Sequence, residues 1–352
     1  MPTLVEILHV ASPGDRKLPQ NVAGCEIRWT ATTLDHAPGE WTRLTSSGSS
    51  DLIAWMELAD PSEADLGHLA EALQTLVSSS STEAWFTPQR DAWSNLLFSH
   101  LPPVWGLLAR GPASLNTGVV RRSALATRNP PPTPLIAPAW GTLVGLAVSG
   151  CPIGNARPAI DLPVEDGSNA IPDHSTLPPL TPSPWPRDRG AFRTWLSQIL
   201  PPLARQAAAD PCDQDALQAG VWQCLGELDL SHRLCQEHEG EGRDQLCDYW
   251  HAIMHRREPD YGNSKYWFRQ FGRHPAFAAL AKRVNRLWEQ PGLSGQSWQS
   301  RLLRGGSWDP FAMVDLAQAA IQDRGLEPLA RQIQALELVT LLEYSLTPAV
   351  GG

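Results

Sequence analysis

Two hydrophobic rhythms divide this chain. Up to about residue 150, short apolar runs alternate with helix-period segments. Residues 3–10 form an unbroken strand-like run that ends at Ser12-Pro13-Gly14, and residues 25–33 alternate apolar with polar. Residues 51–58 make a third strand, stopped by Asp60-Pro61. Ser62 is placed to cap a helix over 63–77, whose Leu66, Leu69, Ala70, Leu73 and Leu76 share one face. Residues 83–87 read as a strand, and Gly118-Val119-Val120 as a further β-like run. This is the rhythm of an α/β, Rossmann-like layer.

From Arg189 onward the pattern is helical. Helices are expected at 189–208, 214–228, 242–258, 263–271, 275–289, 310–324 and 327–346. The last carries Ile333, Leu336, Val339 and Leu342 as an apolar stripe, and Asp309 is the expected N-cap of the one before it. Between the two regimes proline breaks every pattern except 140–149, and Pro178-Pro179 through Pro186 reads as an extended linker. The expected organisation is therefore an α/β N-terminal domain (1–150), a proline-rich connector (151–188) and an all-α helical domain (189–352).

Composition narrows the function classes. A length of 352 residues suits two domains. With 28 basic against 37 acidic residues and a net charge of -9, the chain lacks the positive field that nucleic-acid binders use. No apolar run is long enough for a membrane span, and Met1-Pro2-Thr3 does not open a secretory signal. The six cysteines contain no C-x-x-C pair, so reduced, structural thiols in a cytoplasmic protein are expected. The expected partner is a small-molecule ligand. No Gly-rich phosphate loop, nucleophile elbow or kinase motif is present.

Two segments in the first 150 residues carry a resemblance. They are Trp55-Met56-Glu57-Leu58-Ala59-Asp60-Pro61 and Asn116-Thr117-Gly118-Val119-Val120-Arg121-Arg122-Ser123-Ala124-Leu125. Together with the order of elements, they resemble a GT-A glycosyltransferase domain of the family-2 kind. That resemblance implies transfer of a sugar from a nucleotide-sugar donor. Glu57 and Asp60 would be the catalytic, metal-holding carboxylates for Mn or Mg, with Arg121 or Arg122 near the diphosphate. Such an ion neutralises the leaving diphosphate and takes hard oxygen ligands. Two residues separate Glu57 from Asp60, so a turn at Leu58 is needed to bring the carboxylates together. Pro138-Ala139-Trp140, where the family supplies a base, has no carboxylate. The domain is then either a divergent transferase or a scaffold.

The densest chemistry lies at 247–269. A helix ending at Pro259 places His251, His255 and Glu258 at i, i+4 and i+7 on one face, with Trp250 and Met254 on the other. Two imidazoles one turn apart can chelate a metal such as Zn or Fe, with Glu258 as a further ligand and His232 or His274 as a third nitrogen. Asn263 is the expected cap of the next helix, which ends at Gly272. Arg256, Arg257, Lys265, Tyr266 and Trp267 equally suit an organic-anion pocket, since arginine forks and aromatic rings hold phosphate or carboxylate. A polar core in which these groups satisfy one another is the third reading. Glu237, His238, Glu239 and Glu241 read as a solvated turn. The run Trp250-His251 through Trp267-Phe268-Arg269, followed by Gly272-Arg273-His274-Pro275 and preceded by Ser231-His232 and Gln236, resembles the W-H-x-x-x-H-R-R-E-x-D-Y-x-N-x-K-Y-W-F-R signature of a bacterial family with no assigned activity.

Overall fold

The computed structural model describes residues 3–10, 19–32, 37–47, 49–56, 63–79, 81–89, 91–112, 115–128, 138–155, 174–182, 190–289 and 296–347. In chain order the elements begin with β1 (Leu4–Val10), β2 (Asn21–Val22), β3 (Cys25–Thr32), α1 (Ala37–Ser47), β4 (Leu52–Met56), α2 (Glu63–Ser78) and β5 (Ala84–Pro88). They continue with α3 (Ala92–His100), α4 (Pro103–Arg110), β6 (Leu115–Arg121), α5 (Arg122–Arg128), α6 (Pro138–Val148) and β7 (Ile153–Asn155). Helices α7 (Gly190–Ala207), α8 (Pro211–Cys224), α9 (Leu228–Gln236), α10 (Leu246–Arg257), α11 (Tyr261–Phe271), α12 (Ala276–Leu287) and α13 (Gln296–Leu302) follow. The hairpin β8 (Leu303–Arg304) and β9 (Ser307–Trp308) then leads to α14 (Pro310–Gln322) and α15 (Glu327–Leu346). An N-terminal mixed α/β region is thus followed by a largely helical one. Among the described residues, no helix is long and apolar enough to cross a membrane.

The chain forms two compact units, one of Met1–Arg90, Pro102–Ala159 and Ala191–Trp195, the other of Asp91–Leu101, Ile160–Gly190 and Leu196–Gly352. The first holds a seven-stranded sheet in the order β2-β3-β1-β4-β6-β5-β7. Strands β3, β1 and β4 run parallel, β6 is antiparallel to β4 and β5, and β7 is parallel to β5. All five residues of β4 are buried, because the strand is central and both sheet faces are covered. Period two sorts them: Leu52, Ala54 and Met56 join Val5, Ile7 and the α2 residues Leu69, Leu73 and Leu76 in one core. Trp55 points the other way, its ring 5.6 Å from that of Trp41 in an edge contact. Trp41 in turn donates from Nε1 to Thr142 Oγ1 at 3.0 Å.

The helical unit is built around α8, α10 and α15. Gly220 lets α8 come close, since a Cβ there would stand 2.5 Å from the Trp250 ring and 2.8 Å from Leu342. All twelve residues of α10 are buried. Both faces of this helix, the apolar one with Trp250 and Met254 and the polar one with His251 and His255, are therefore interior.

Several expectations change. Helices α1, α3 and α4 are not expected from the sequence, each being only 8 to 11 residues long, too short for a periodic pattern to stand out. Helix α3 belongs with the helical unit. The proline stretch is not a free linker over its described part: Leu177 and Leu180 are buried, and Pro179 O accepts from Gln334 Nε2 at 3.0 Å and Arg257 Nη2 at 3.4 Å. Asp260, rather than Asn263, caps α11, accepting from Asn263 N at 3.1 Å. Asp309 does cap α14, accepting from Phe311 N at 2.9 Å.

Candidate metal centre

The helical repeat sets His251 and His255 one turn apart on α10, and their rings stack with centroids 4.8 Å apart and planes at 23°. Helix α9 brings in a third imidazole, His232, with its ring 4.7 Å from His251 and 5.4 Å from His255. One ring nitrogen from each of the three lies within 4.8 Å of the others. An ion bonded to imidazoles at about 2.0–2.1 Å would draw these nitrogens closer together, to roughly 3.4 Å, by ring rotation. The indole of Trp267 on α11 lies against His251, 4.0 Å between centroids and 25° between planes.

His251 is the unusual member. It is 2% exposed, and neither ring nitrogen has a hydrogen-bond partner among the described residues. Each such buried orphan costs on the order of 1–3 kcal/mol. Burial first, then the neighbouring His255 and His232, pushes its pKa down to about 3, so the ring is neutral with a lone pair to give. Burial also lowers His255.

Glu258 does not join the triad. It lies just past the end of α10, and its Oε2 stands 3.3 Å from His255 Nδ1, where a carboxylate orients the ring. Asn263 Nδ2 is 3.0 Å from His255 Nε2 and 3.4 Å from Nδ1. An atom close to both nitrogens lies off the lone-pair axis of each. His274 is elsewhere, packed on Tyr249 and Tyr344, with Nδ1 accepting from Ala276 N at 3.1 Å.

The residues of the anion-pocket reading diverge. Arg256 points to Glu337 on α15, Nη2 to Oε2 2.5 Å, with both side chains fully buried, and Tyr249 donates to the other carboxylate oxygen at 3.0 Å. Arg257 donates to Gln223 O and Pro179 O. Lys265 pairs with Asp315 at 2.6 Å, and the Tyr266 side chain is exposed. In the α/β unit, Glu57 and Asp60 lie outside the described residues. Arg121 donates to the carbonyls of Leu76, Ser79 and Thr82, closing the end of α2. Arg122 donates to Leu44 O at 2.6 Å and Ser50 O at 2.8 Å, and pairs with Glu6 at 3.0 Å. These donors are engaged by the protein itself.

One cluster was missed by the sequence reading. The stretch expected as a solvated turn brings His238 and Glu241 against Cys212, giving a second set of donors able to hold a metal ion. Sequence spacing hides it, because the thiol comes from the start of α8. No protein-family model and no curated protein sequence matches this chain.

Proposed function

We propose that the helical unit is a metal-binding module in which His232, His251 and His255 hold a divalent transition ion, and that the protein acts through this ion. The observation that carries the reading is His251, buried with two unpartnered ring nitrogens beside two further imidazoles. Among the described residues no protein group satisfies either nitrogen, and an ion would take up one of them. An all-imidazole set suits zinc or iron rather than magnesium or manganese. Three protein donors leave a coordination position for water or a small ligand, and an ion so held supplies Lewis-acid chemistry. Glu258 then orients His255, and Trp267 covers His251. The test is elemental analysis of protein expressed with several supplied metals. Wild type should retain one more equivalent than His251→Gln/His255→Gln, and equal contents in the two would end the proposal.

A second reading concerns the α/β unit. Strand β4 lies parallel to β1 in the middle of the sheet, and Glu57 and Asp60 follow its last residue in sequence. Open α/β sheets bind ligands beyond the carboxyl ends of their strands. This supports a GT-A-like domain with Mn or Mg at the acidic pair and a nucleotide-sugar donor. A Mn-dependent thermal shift with a nucleoside diphosphate, abolished in Asp60→Ala, is the expected result. Equal shifts in wild type and variant would remove Asp60 from such a site.

A further inference from the structure

Cys212 stands in the first turn of α8, where the N-cap Asp210 accepts from its backbone N–H at 2.8 Å. His238 and Glu241 occupy the turn after α9, shaped by His238 N donating to Cys235 O at 3.2 Å and Glu241 N donating to His238 O at 3.1 Å. Gly242 closes that turn against α8: its φ is +75°, and a Cβ there would lie 2.7 Å from Cys212 Cβ. Only glycine admits this approach.

The donor atoms are already spaced for coordination. Cys212 Sγ lies 3.3 Å from His238 Nδ1 and 3.7 Å from Glu241 Oε2, and Nδ1 lies 3.5 Å from Oε2. A tetrahedral ion at about 2.3 Å from sulfur and about 2.0–2.2 Å from nitrogen and oxygen sets its donors roughly 3.4–3.6 Å apart. The far side of the imidazole is held as metal-bound histidines are held, with Nε2 2.9 Å from Asp215 Oδ2. With its N–H given to Asp215, the ring turns a lone pair on Nδ1 toward the cluster. Without an ion, Nδ1 and the Glu241 carboxylate are joined only through a ring proton, whose place a metal ion would take. A cation satisfies all three groups. A thiolate, a carboxylate and a neutral imidazole also balance a divalent charge.

We propose that Cys212, His238 and Glu241 form a zinc-class site, with Asp215 orienting His238 and a fourth position filled by solvent or an outside ligand. Binding forms the metal–sulfur and metal–nitrogen bonds and releases the thiol proton and any proton on His238 Nδ1 to solvent, without any redox change. The ion ties the start of α8 to the turn between α9 and α10. This site is independent of the histidine triad, and the presence of sulfur lets the two be told apart.

The experiment is anaerobic Co²⁺ titration of the full chain after chelator treatment under reducing conditions. The expected result is a thiolate-to-cobalt charge-transfer band in the near ultraviolet that is displaced by Zn²⁺ and, in His251→Gln/His255→Gln where the triad no longer competes, saturates at one equivalent. The band should vanish in Cys212→Ser and persist in His251→Gln/His255→Gln, where only the cobalt held by the triad is lost. Glu241→Gln, at an exposed side chain, should keep the fold by circular dichroism and weaken cobalt binding about tenfold or more, and Asp215→Asn should weaken it about 10–100-fold. Cobalt uptake without a thiolate band, a band that survives Cys212→Ser, or unchanged affinity in Glu241→Gln would each overturn the site.

Discussion

The two units bury polar groups in opposite ways. Among the described residues of the α/β unit, the buried polar side chains are the hydroxyls Ser50, Thr87, Thr117 and Thr142. Its arginines Arg121 and Arg122 stay partly exposed and bind carbonyls at the ends of helices. The helical unit instead buries Asp213, Asp248, His251, His255, Arg256, Arg257, His274 and Glu337. Each ion taken from water costs several kcal/mol even when paired, and a neutral imidazole without partners is costly too. The sheet unit is thus stabilised by ordinary apolar burial. The helical unit carries a polar interior that stability alone does not require; His251 and His255 of the triad lie in it, while the Cys212 cluster sits toward the surface.

The sharpest way to break this comparison is to remove one partner of a buried pair in each unit. Arg256→Ala leaves Glu337 charged, buried and held only by Tyr249, and should cost about 3–5 kcal/mol. Arg122→Ala, whose pair with Glu6 is partly exposed, should cost about 1–3 kcal/mol. Denaturant unfolding of both variants measures the difference, and a reversed order would contradict it. Next in size is the docked proline stretch. Leu177→Ala should destabilise the helical unit by roughly 2 kcal/mol or more if the segment packs as a permanent part of that unit. A change near zero in its unfolding midpoint would return the segment to the status of a linker.

Acid sensitivity is a smaller effect per pH unit, and it acts on the same interior. Burial holds His251 at about 3 and His274 at about 4, and lowers His255. From about pH 6.5 downward the unfolded chain binds protons that these native rings refuse. Their contribution is complete above that pH and falls as pH drops toward the folded values, by at most about 1.4 kcal/mol per pH unit for each ring. Asp248, raised to about 6 by burial, acts in the opposite direction, since its native carboxyl keeps a proton that the unfolded chain releases. Stability should therefore rise with pH across this window, less steeply in His274→Gln and more steeply in Asp248→Asn. Equal slopes in urea unfolding of all three proteins would refute the assignment.

How much of this was legible in the sequence follows from the range of the signals. Strands β1, β3 and β4 and helices α10 and α15 could be read because their apolar periods are local. The His251/His255 pair was legible for the same reason: i and i+4 share a face wherever a helix forms. Glu258, the residue that caps α10, falls beside His255 rather than among the three grouped imidazoles, a placement that i+7 spacing alone does not specify. Arg121 and Arg122 look like free cations in sequence. Only the fold reveals the carbonyls that engage them, those of Leu44 and Leu76 among others. Cys212 was invisible as a ligand because its partners arrive through a turn closed by Gly242.

His232, His251 and His255 are proposed above as a metal site. That claim is tested most directly by metal-induced thermal stabilisation in a Cys212→Ser background, where the second cluster is silent. Saturating Zn²⁺ should raise the unfolding midpoint of protein with the triad intact, because an ion bound only by the native state stabilises it by about 2.7 kcal/mol at a hundredfold excess over Kd. The added change His251→Gln should abolish that rise, and the added change Asp60→Ala should leave it intact. The same rise with and without His251 would contradict the claim.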